Sequence, residues 1–134
     1  MGDYWQHWLD MGKKVENLPK IFNVNWFRLD DEGNFIWPGF GDNLRVLEWI
    51  LRRCEGSTDP CGSCETPIGY VPHVEDLFLE DADVTEEAVQ GILEVDKELW
   101  QKEAAEIKEF YKQFGDRLPE EMTEQLNKLK ENLK

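Results

Sequence analysis

The sequence is poor in basic residues, with 15 Lys and Arg against 29 Asp and Glu, and its net charge is −14. A chain this acidic is repelled by phosphate backbones and anionic lipids, which argues against binding to nucleic acid or to a membrane surface. The sequence also lacks an apolar run near the roughly 18 residues of a membrane span, and it lacks a basic-then-apolar signal pattern at its N-terminus. We therefore expect a cytoplasmic protein.

Cysteine is scarce as well, with only Cys54, Cys61 and Cys64. An odd number fits a reduced cytosolic protein better than a disulfide scaffold. Cys61 and Cys64 form one C-x-x-C pair, but a structural zinc site needs four ligands and no second pair follows at suitable spacing, although His73 is a candidate fourth ligand. An ordinary loop is the favoured interpretation, and a metal site or a redox dithiol stays open beside it.

Several catalytic motifs are missing. The sequence contains no G-x-x-x-x-G-K-[ST] loop, which is the usual grip on a triphosphate. It also contains no Asp/His cluster with the spacing of metal ligands, and no Ser–His or Cys–His pair that its spacing supports. The residues alone therefore predict no complete catalytic site.

Aromatic residues, in contrast, are plentiful: they make up 12% of the 134 residues, and hydrophobic residues make up 40%, enough for one folded domain with a modest core. Residues 21–43 are the richest stretch, with the six rings of Phe22, Trp26, Phe27, Phe35, Trp37 and Phe40. Two-residue alternation predicts a strand over 21–28. The acidic loop 30–34, with Gly33 as its turn residue, predicts a second, antiparallel strand over 35–37.

This predicted hairpin brings three phenyl rings together at one end. Phe27 and Phe35 come nearly opposite each other, and Phe40 lies between two glycines with little steric cover. Flat rings suit a purine, since stacking contributes about 1–3 kcal/mol per base. Stacking does not tell guanine from adenine, so an amide such as Asn43 would have to read the base edge. The residues indicate the base-binding half of a site, and the alternative is that these rings are ordinary core.

The rest of the chain is mostly helical by its patterns. Apolar stripes predict helices over residues 3–12, 44–54, 86–94 and 97–113, and a last helix that starts near Pro119. Asp42 or Asn43 is predicted to cap the helix over 44–54, and Asp96 the helix over 97–113. The inward face of the second helix is predicted to consist of Leu44, Leu47, Ile50 and Leu51. Residues 55–66 are loop-like by composition, and the prolines of 66–72 predict an extended segment.

These elements predict an α+β fold in which a small antiparallel hairpin or sheet packs with several helices. We expect one domain in two parts: residues 1–74 carry the aromatic site, and residues 75–134 form a helical part that holds 18 of the 29 acidic residues.

Particular runs of residues resemble one enzyme family. The run NVNWFRLDDEGNFIWPGFGDNLRVLEWILRR, followed by ETPIGYVP, closely resembles the GTP-dependent phosphoenolpyruvate carboxykinases near their C-terminus. The segments GDYWQHWLDMG and LPKIF before it, and LWQKEAAEIKEFYKQFGDRLP after it, are similar to that family too. The resemblance covers essentially the whole chain, and the stretch that contains WPGFGDN is its most specific part.

The resemblance implies an activity and a set of site residues. Members of the family convert oxaloacetate and GTP into phosphoenolpyruvate, GDP and carbon dioxide, at the entry to gluconeogenesis. They use a divalent metal, typically manganese, and magnesium accompanies the nucleotide. By resemblance, the guanine ring is clamped by phenylalanines, flanked by a further aromatic residue and met at its edge by a polar residue. The corresponding positions are Phe27, Phe35, Phe40, Trp26 and Asn43.

The resemblance also implies that much of the enzyme lies outside this sequence, which corresponds to about the last quarter of such an enzyme. The phosphate-binding loop, the manganese ligands, the oxaloacetate-binding arginines and the mobile lid precede Met1 in the family, and no residue here matches them. We therefore expect a fragment, either excised or truncated at Met1, that is inactive alone. The cysteine-bearing loop 57–64 resembles a locally variable insertion.

Two further expectations concern partners. The isolated chain is expected to self-associate, because Tyr4, Trp5, Trp8 and Trp26 would pack on the remainder of the carboxykinase and are otherwise exposed. The alternative function is an interaction or structural module that docks protein through the exposed aromatic patch that contains Phe27 and Phe40. A metal or redox module built on the three cysteines and an RNA-binding sheet are weaker rivals, the latter opposed by the acidic charge.

Overall fold

The computed structural model describes residues 1–56 and 63–134. Within them the chain forms five α-helices and one two-stranded antiparallel sheet, which confirms the predicted α+β class. The elements are α1 (Gly2–Lys14), α2 (Asn43–Cys54), β1 (Ser63–Thr66), β2 (Gly69–Pro72), α3 (Glu86–Leu93), α4 (Lys97–Tyr111) and α5 (Glu120–Asn132). Short 3₁₀ turns lie at Val74–Leu77, Leu79–Asp81 and Lys112–Arg117. No helix in the described ranges combines the length and apolarity needed to cross a bilayer.

The chain forms two compact units. The helical unit consists of Met1–Pro19 and Val95–Lys134, and the central unit consists of Lys20–Glu94. The predicted boundary after residue 74 falls inside the central unit.

The helical unit packs α4 and α5 around a small aliphatic core. Its buried residues are Ala104, Leu126 and Leu133, with Trp100, Ile107, Tyr111 and Leu129 packed against them. Asp96 begins α4 as predicted, because its Oδ1 accepts hydrogen bonds from the backbone N–H groups of Glu98 at 2.9 Å and Leu99 at 3.0 Å. On α1 the Trp5 ring packs 4.7 Å from Phe114, whereas the rings of Tyr4 and Trp8 stay exposed.

The central unit has a core in which two indole rings are the largest buried side chains. Its buried residues are Trp37, Trp49, Leu77 and Val89, and the rings of Phe22 and Trp26 pack against this cluster. Helix α2 has nearly the predicted bounds, but of the four residues predicted on its inward face only Ile50 packs on the core. Leu44, Leu47 and Leu51 are exposed, and α2 packs inward through Val46, Trp49 and Ile50. Trp49 occupies the core position because burial of its larger ring removes more apolar surface from water than burial of a leucine side chain does.

The predicted hairpin of 21–28 and 35–37 is wrong in its secondary structure. Only one isolated bridge forms there, between Leu29 and Phe35, and Ile36 N–H donates to the Arg28 carbonyl at 3.0 Å. A local hydrogen bond competes with strand pairing here, because the Phe27 N–H donates to the Asn25 side chain at 3.0 Å instead of to a neighbouring strand. The aromatic alternation reflects rings that pack on the core, not a ladder.

The sheet forms instead at 63–66 and 69–72, where the sequence had suggested a loop and an extended segment. Ser63 pairs with Pro72 and Thr66 with Gly69 across the antiparallel strands. The extended segment predicted from the prolines is compatible with the sheet, because Pro67 lies in the two-residue turn and Pro72 ends β2, and both are positions that need no ladder N–H.

Candidate functional site

A cavity of about 460 Å³ opens in the central unit. It is lined by Trp26, Phe27, Phe35, Trp37, Pro38, Gly39, Phe40 and Asn43. The structure therefore brings all five residues of the predicted site to one place, although the hairpin expected to assemble them is absent. Pro38, Gly39 and Trp37 were not predicted as site residues. The sequence feature that could have identified them is their location between Phe35 and Asn43, two residues of the predicted site.

A tight acidic loop places two of the rings. Asp30 Oδ1 accepts hydrogen bonds from the backbone N–H groups of Asn34 at 2.8 Å and Glu32 at 2.9 Å, and Gly33 takes a positive φ of 86°. The loop returns the chain on itself, so that the Phe27 and Phe35 rings lie 5.9 Å apart at 62°. The bonds from Asn34 and Glu32 favour the charged carboxylate and hold the pKa of Asp30 below its usual range.

The third phenyl ring is almost free of protein contact. Phe40 is 95% exposed, and it lies between Gly39, whose φ is +103°, and Gly41. Phe27 and Phe35 are also exposed, at 70% and 62%. Exposed large rings around a concave surface are unusual for a packed fold and typical of a surface that a flat apolar ligand covers.

Two indole rings form the more buried side of the cavity. Trp37 is only 7% exposed, and its ring lies 6.3 Å from that of Trp26 with a tilt of 39°. Because Trp37 also belongs to the hydrophobic core, the cavity is anchored to the rigid part of the unit.

Asn43 supplies the polar group of the cavity. The backbone N–H groups of Asp42 and Asn43 both donate to the Gly39 carbonyl, at 3.0 and 3.1 Å, which turns the chain into α2 and places Asn43 as its first residue. The Asn43 Oδ1 accepts a hydrogen bond of 2.9 Å from the Trp37 indole Nε1. The sequence had suggested Asp42 or Asn43 as a capping residue. Asp42 holds the cap position, but its side chain pairs with Arg45 at 2.8 Å instead of capping the helix.

The family model of the phosphoenolpyruvate carboxykinase C-terminal P-loop domain matches residues 1–132. The chain belongs to this family. That confirms the resemblance of the sequence to the GTP-dependent phosphoenolpyruvate carboxykinases.

Curated members of the carboxykinase family match along the whole chain. The chain is 48% identical over 134 residues to phosphoenolpyruvate carboxykinase [GTP] of Renibacterium salmoninarum, covering 98% of this chain and 22% of the relative. It is 46% identical over 135 residues to the protein of that name from Chlamydia caviae, covering 100% of this chain and 22% of the relative. The match to the Treponema pallidum (strain Nichols) protein is 48% identical over 132 residues, covering 96% and 21%. The chain thus spans about a fifth of the length of these relatives.

One polar pair in this carboxykinase domain involves His73, which the sequence had suggested as a candidate metal ligand beside the cysteines. The Cys64 Sγ lies 2.9 Å from His73 Nδ1, although the spacing had suggested no Cys–His pair. The antiparallel register explains the contact, because Cys64 pairs with Val71 and the chain continues past β2 to His73. Cys54 and Cys64 are free thiols, and Cys61 lies outside the described residues. Across residues 1–56 and 63–134, no group of three or more His, Cys, Asp or Glu is arranged to hold a metal ion.

Proposed function

We propose that this chain is the guanine-recognition segment of a GTP-dependent phosphoenolpyruvate carboxykinase. The observation that carries the proposal is the shared cavity of Phe27, Phe35, Phe40, Trp26 and Asn43. Its volume of about 460 Å³ falls within the roughly 300–1,000 Å³ of small-molecule sites. GTP and GDP are the proposed ligands, and the named activity of the curated relatives supports this choice.

Stacking supplies the affinity in this proposal. A purine that enters the cavity meets ring faces that are now in water, and base–aromatic stacking contributes about 1–3 kcal/mol per base. Asn43 supplies the choice of base, because its amide hydrogen-bonds the edge of the purine. Stacking alone does not distinguish guanine from adenine.

The complete reaction is proposed for the longer protein: oxaloacetate and GTP give phosphoenolpyruvate, GDP and carbon dioxide, as a cytoplasmic step of gluconeogenesis. The described residues do not fit a manganese or magnesium site, since no suitable cluster of ligands occurs among them. We assign the metal ions, the phosphate-binding groups and the oxaloacetate site to the remainder of the carboxykinase. This chain alone is then inactive, and adding it to oxaloacetate, GTP and Mn²⁺ should release no carbon dioxide above background.

Intrinsic tryptophan fluorescence tests the base-binding role directly, because Trp26 and Trp37 both line the cavity. Titration of the chain with GDP should give saturable quenching. ADP should respond more weakly, and Phe27→Ala should abolish the response. Phe110→Ala removes an exposed ring from the helical unit and serves as the matched control. A chain that shows no response to GDP up to millimolar concentration would contradict nucleotide binding by this segment alone.

The alternative function is a protein-interaction or structural module, and the exposure of Phe40 and of the α2 leucines favours it. The same variants separate the two functions. If Phe27→Ala and Phe40→Ala abolish self-association or partner binding, and nucleotide has no effect on either, the interaction module is the correct function.

A further inference from the structure

We propose that Trp37 is a positioning residue that sets the preference for guanine over adenine by fixing the orientation of the Asn43 amide. The inference rests on the proposed function, because it assumes that a base occupies the cavity. It concerns a residue that does not have to touch the base edge itself.

The argument begins with the hydrogen bond between the two side chains. The Trp37 Nε1 donates to the Asn43 Oδ1 over 2.9 Å. An indole nitrogen only donates, whereas a side-chain amide has one acceptor oxygen and one donor nitrogen. A flipped Asn43 would set its own N–H groups against the indole N–H. The indole therefore selects one of the two amide orientations.

Burial of the Trp37 ring fixes the orientation that it selects for the Asn43 amide. Trp37 is 7% exposed and packs within the core of the central unit, so the indole cannot turn away without disrupting that core. The hydrogen bond is partly buried, and a donor held away from water is costly to leave unpaired. The donor that orients Asn43 is thus part of the rigid framework.

The consequence appears at the other atom of the amide. With its oxygen held by Trp37, Asn43 offers Nδ2, a donor, to a ligand in the cavity that it lines. Guanine carries an acceptor oxygen at position 6, whereas adenine carries an amino donor there. A donor at this position bonds guanine and opposes adenine. Hypoxanthine, which shares the oxygen at position 6, is accepted for the same reason.

Competition against a fluorescent N-methylanthraniloyl-GDP tests the inference in the full chain. Unlabelled GDP, IDP and ADP are the competitors, and the selectivity is the ratio of the ADP dissociation constant to the IDP dissociation constant. For the unaltered chain, IDP should compete better than ADP. Trp37→Phe keeps a ring in the core but removes the donor, so Asn43 is free to flip toward adenine. The selectivity should fall by about tenfold or more, in line with the discrimination that one oriented amide provides.

Trp26→Phe is the matched control, since it removes the other indole of the same cavity. It should weaken GDP, IDP and ADP alike and leave the selectivity unchanged. Asn43→Asp gives a second test that does not depend on how well Trp37→Phe folds. One carboxylate oxygen still accepts from Trp37, and the other now presents an acceptor to the base, so the preference should invert toward ADP.

Three results would overturn the inference. Unchanged selectivity in a folded Trp37→Phe that still binds GDP refutes the positioning role and leaves the guanine site intact. An Asn43→Asp variant that keeps the preference for IDP over ADP refutes it as well. Failure of the unaltered chain to bind any of the nucleotides refutes both this inference and the proposed function.

Discussion

The two units of this domain arrange their apolar side chains differently. In the helical unit, Ala104, Leu126 and Leu133 are buried at 6% exposure or less, and helical spacing brings them together. In the central unit, Phe40 and Phe27 remain in water beside a well-packed indole core. An exposed ring of this size forgoes about 1.5–3 kcal/mol of burial. Exposed rings occur in both units, with Tyr4 and Trp8 among them in the helical unit, but those of the central unit line the cavity that we propose for a base.

The largest expected effect is on the packed side of the comparison. Leu133→Ala removes a side chain that is 1% exposed and should lower the free energy of unfolding of the helical unit by about 2–5 kcal/mol. GDP affinity at a temperature where the variant is folded should not change, because every residue of the cavity lies in the central unit. Urea denaturation and fluorescence titration measure the two quantities.

The control for this variant is Leu99→Ala, which removes an exposed leucine of the same unit and should change stability by less than about 0.5 kcal/mol. Equal losses for Leu133→Ala and Leu99→Ala would mean that burial does not decide stability in this unit.

For Phe40→Ala we expect weaker GDP binding and unchanged stability, the reverse of Leu133→Ala. GDP binding should weaken by about 1–3 kcal/mol because a stacking surface is lost. The melting temperature should stay the same, since the ring is almost fully exposed. Calorimetric titration and thermal denaturation together check both parts. A variant that melts early but still binds GDP normally would mean that Phe40 packs the fold, and the contrast between the units would fail.

A smaller effect is expected from pH through Asp30. Its carboxylate accepts the loop hydrogen bonds, and its pKa is lowered mainly by the bond from Asn34, so protonation opposes the folded loop. The stabilisation is present above the unfolded pKa of the carboxyl and is lost as pH falls through the lower, folded pKa. GDP affinity should therefore decline as acid releases the loop that joins Phe27 to Phe35.

Asp30→Ala should reproduce the acid effect at neutral pH, with Asp31→Ala as the neighbouring control. The measurement is the GDP dissociation constant against pH for the three proteins. If the GDP dissociation constant of the unaltered chain does not vary with pH and equals that of Asp30→Ala, the loop does not contribute to GDP binding.

The smallest expected effect is weak self-association of the isolated chain. Tyr4 and Trp8 of the helical unit are more than half exposed, and exposed apolar surface favours association. Light scattering over a wide concentration range should show a mass that rises with concentration, and Trp8→Ser should reduce the rise. Constant monomer mass would contradict the prediction.

Sequence reasoning succeeded where local chemistry decides the structure. The cap at Asp96 and the spacing of Leu126, Leu129 and Leu133 specify α4 and α5, because capping and helical periodicity act over a few residues. The close approach of Phe27 and Phe35 also follows from the loop at Asp30 and Gly33.

It failed where tertiary packing decides the structure. Alternating aromatic residues in 21–28 look like a strand, yet the Phe22 and Trp26 rings pack on the core and no strand pairs with them. Helix α2 carries two apolar stripes, and only the position of Trp49 in the core decides which one is buried. The contact between Cys64 and His73 depends on a sheet register that composition had argued against.

The freedom of Phe40 has a consequence for kinetics. A ring between Gly39 and Gly41 that makes almost no protein contact is free to change its rotamer, and on the proposed function it loses that freedom when it stacks on a base. This loss of side-chain freedom offsets part of the stacking energy. The Phe40 ring also moves away from the base without breaking any packing against the protein. On the proposed function, such a ring favours fast dissociation of the nucleotide. Fast dissociation suits the activity proposed for the longer protein, which exchanges spent nucleotide for fresh nucleotide in every cycle.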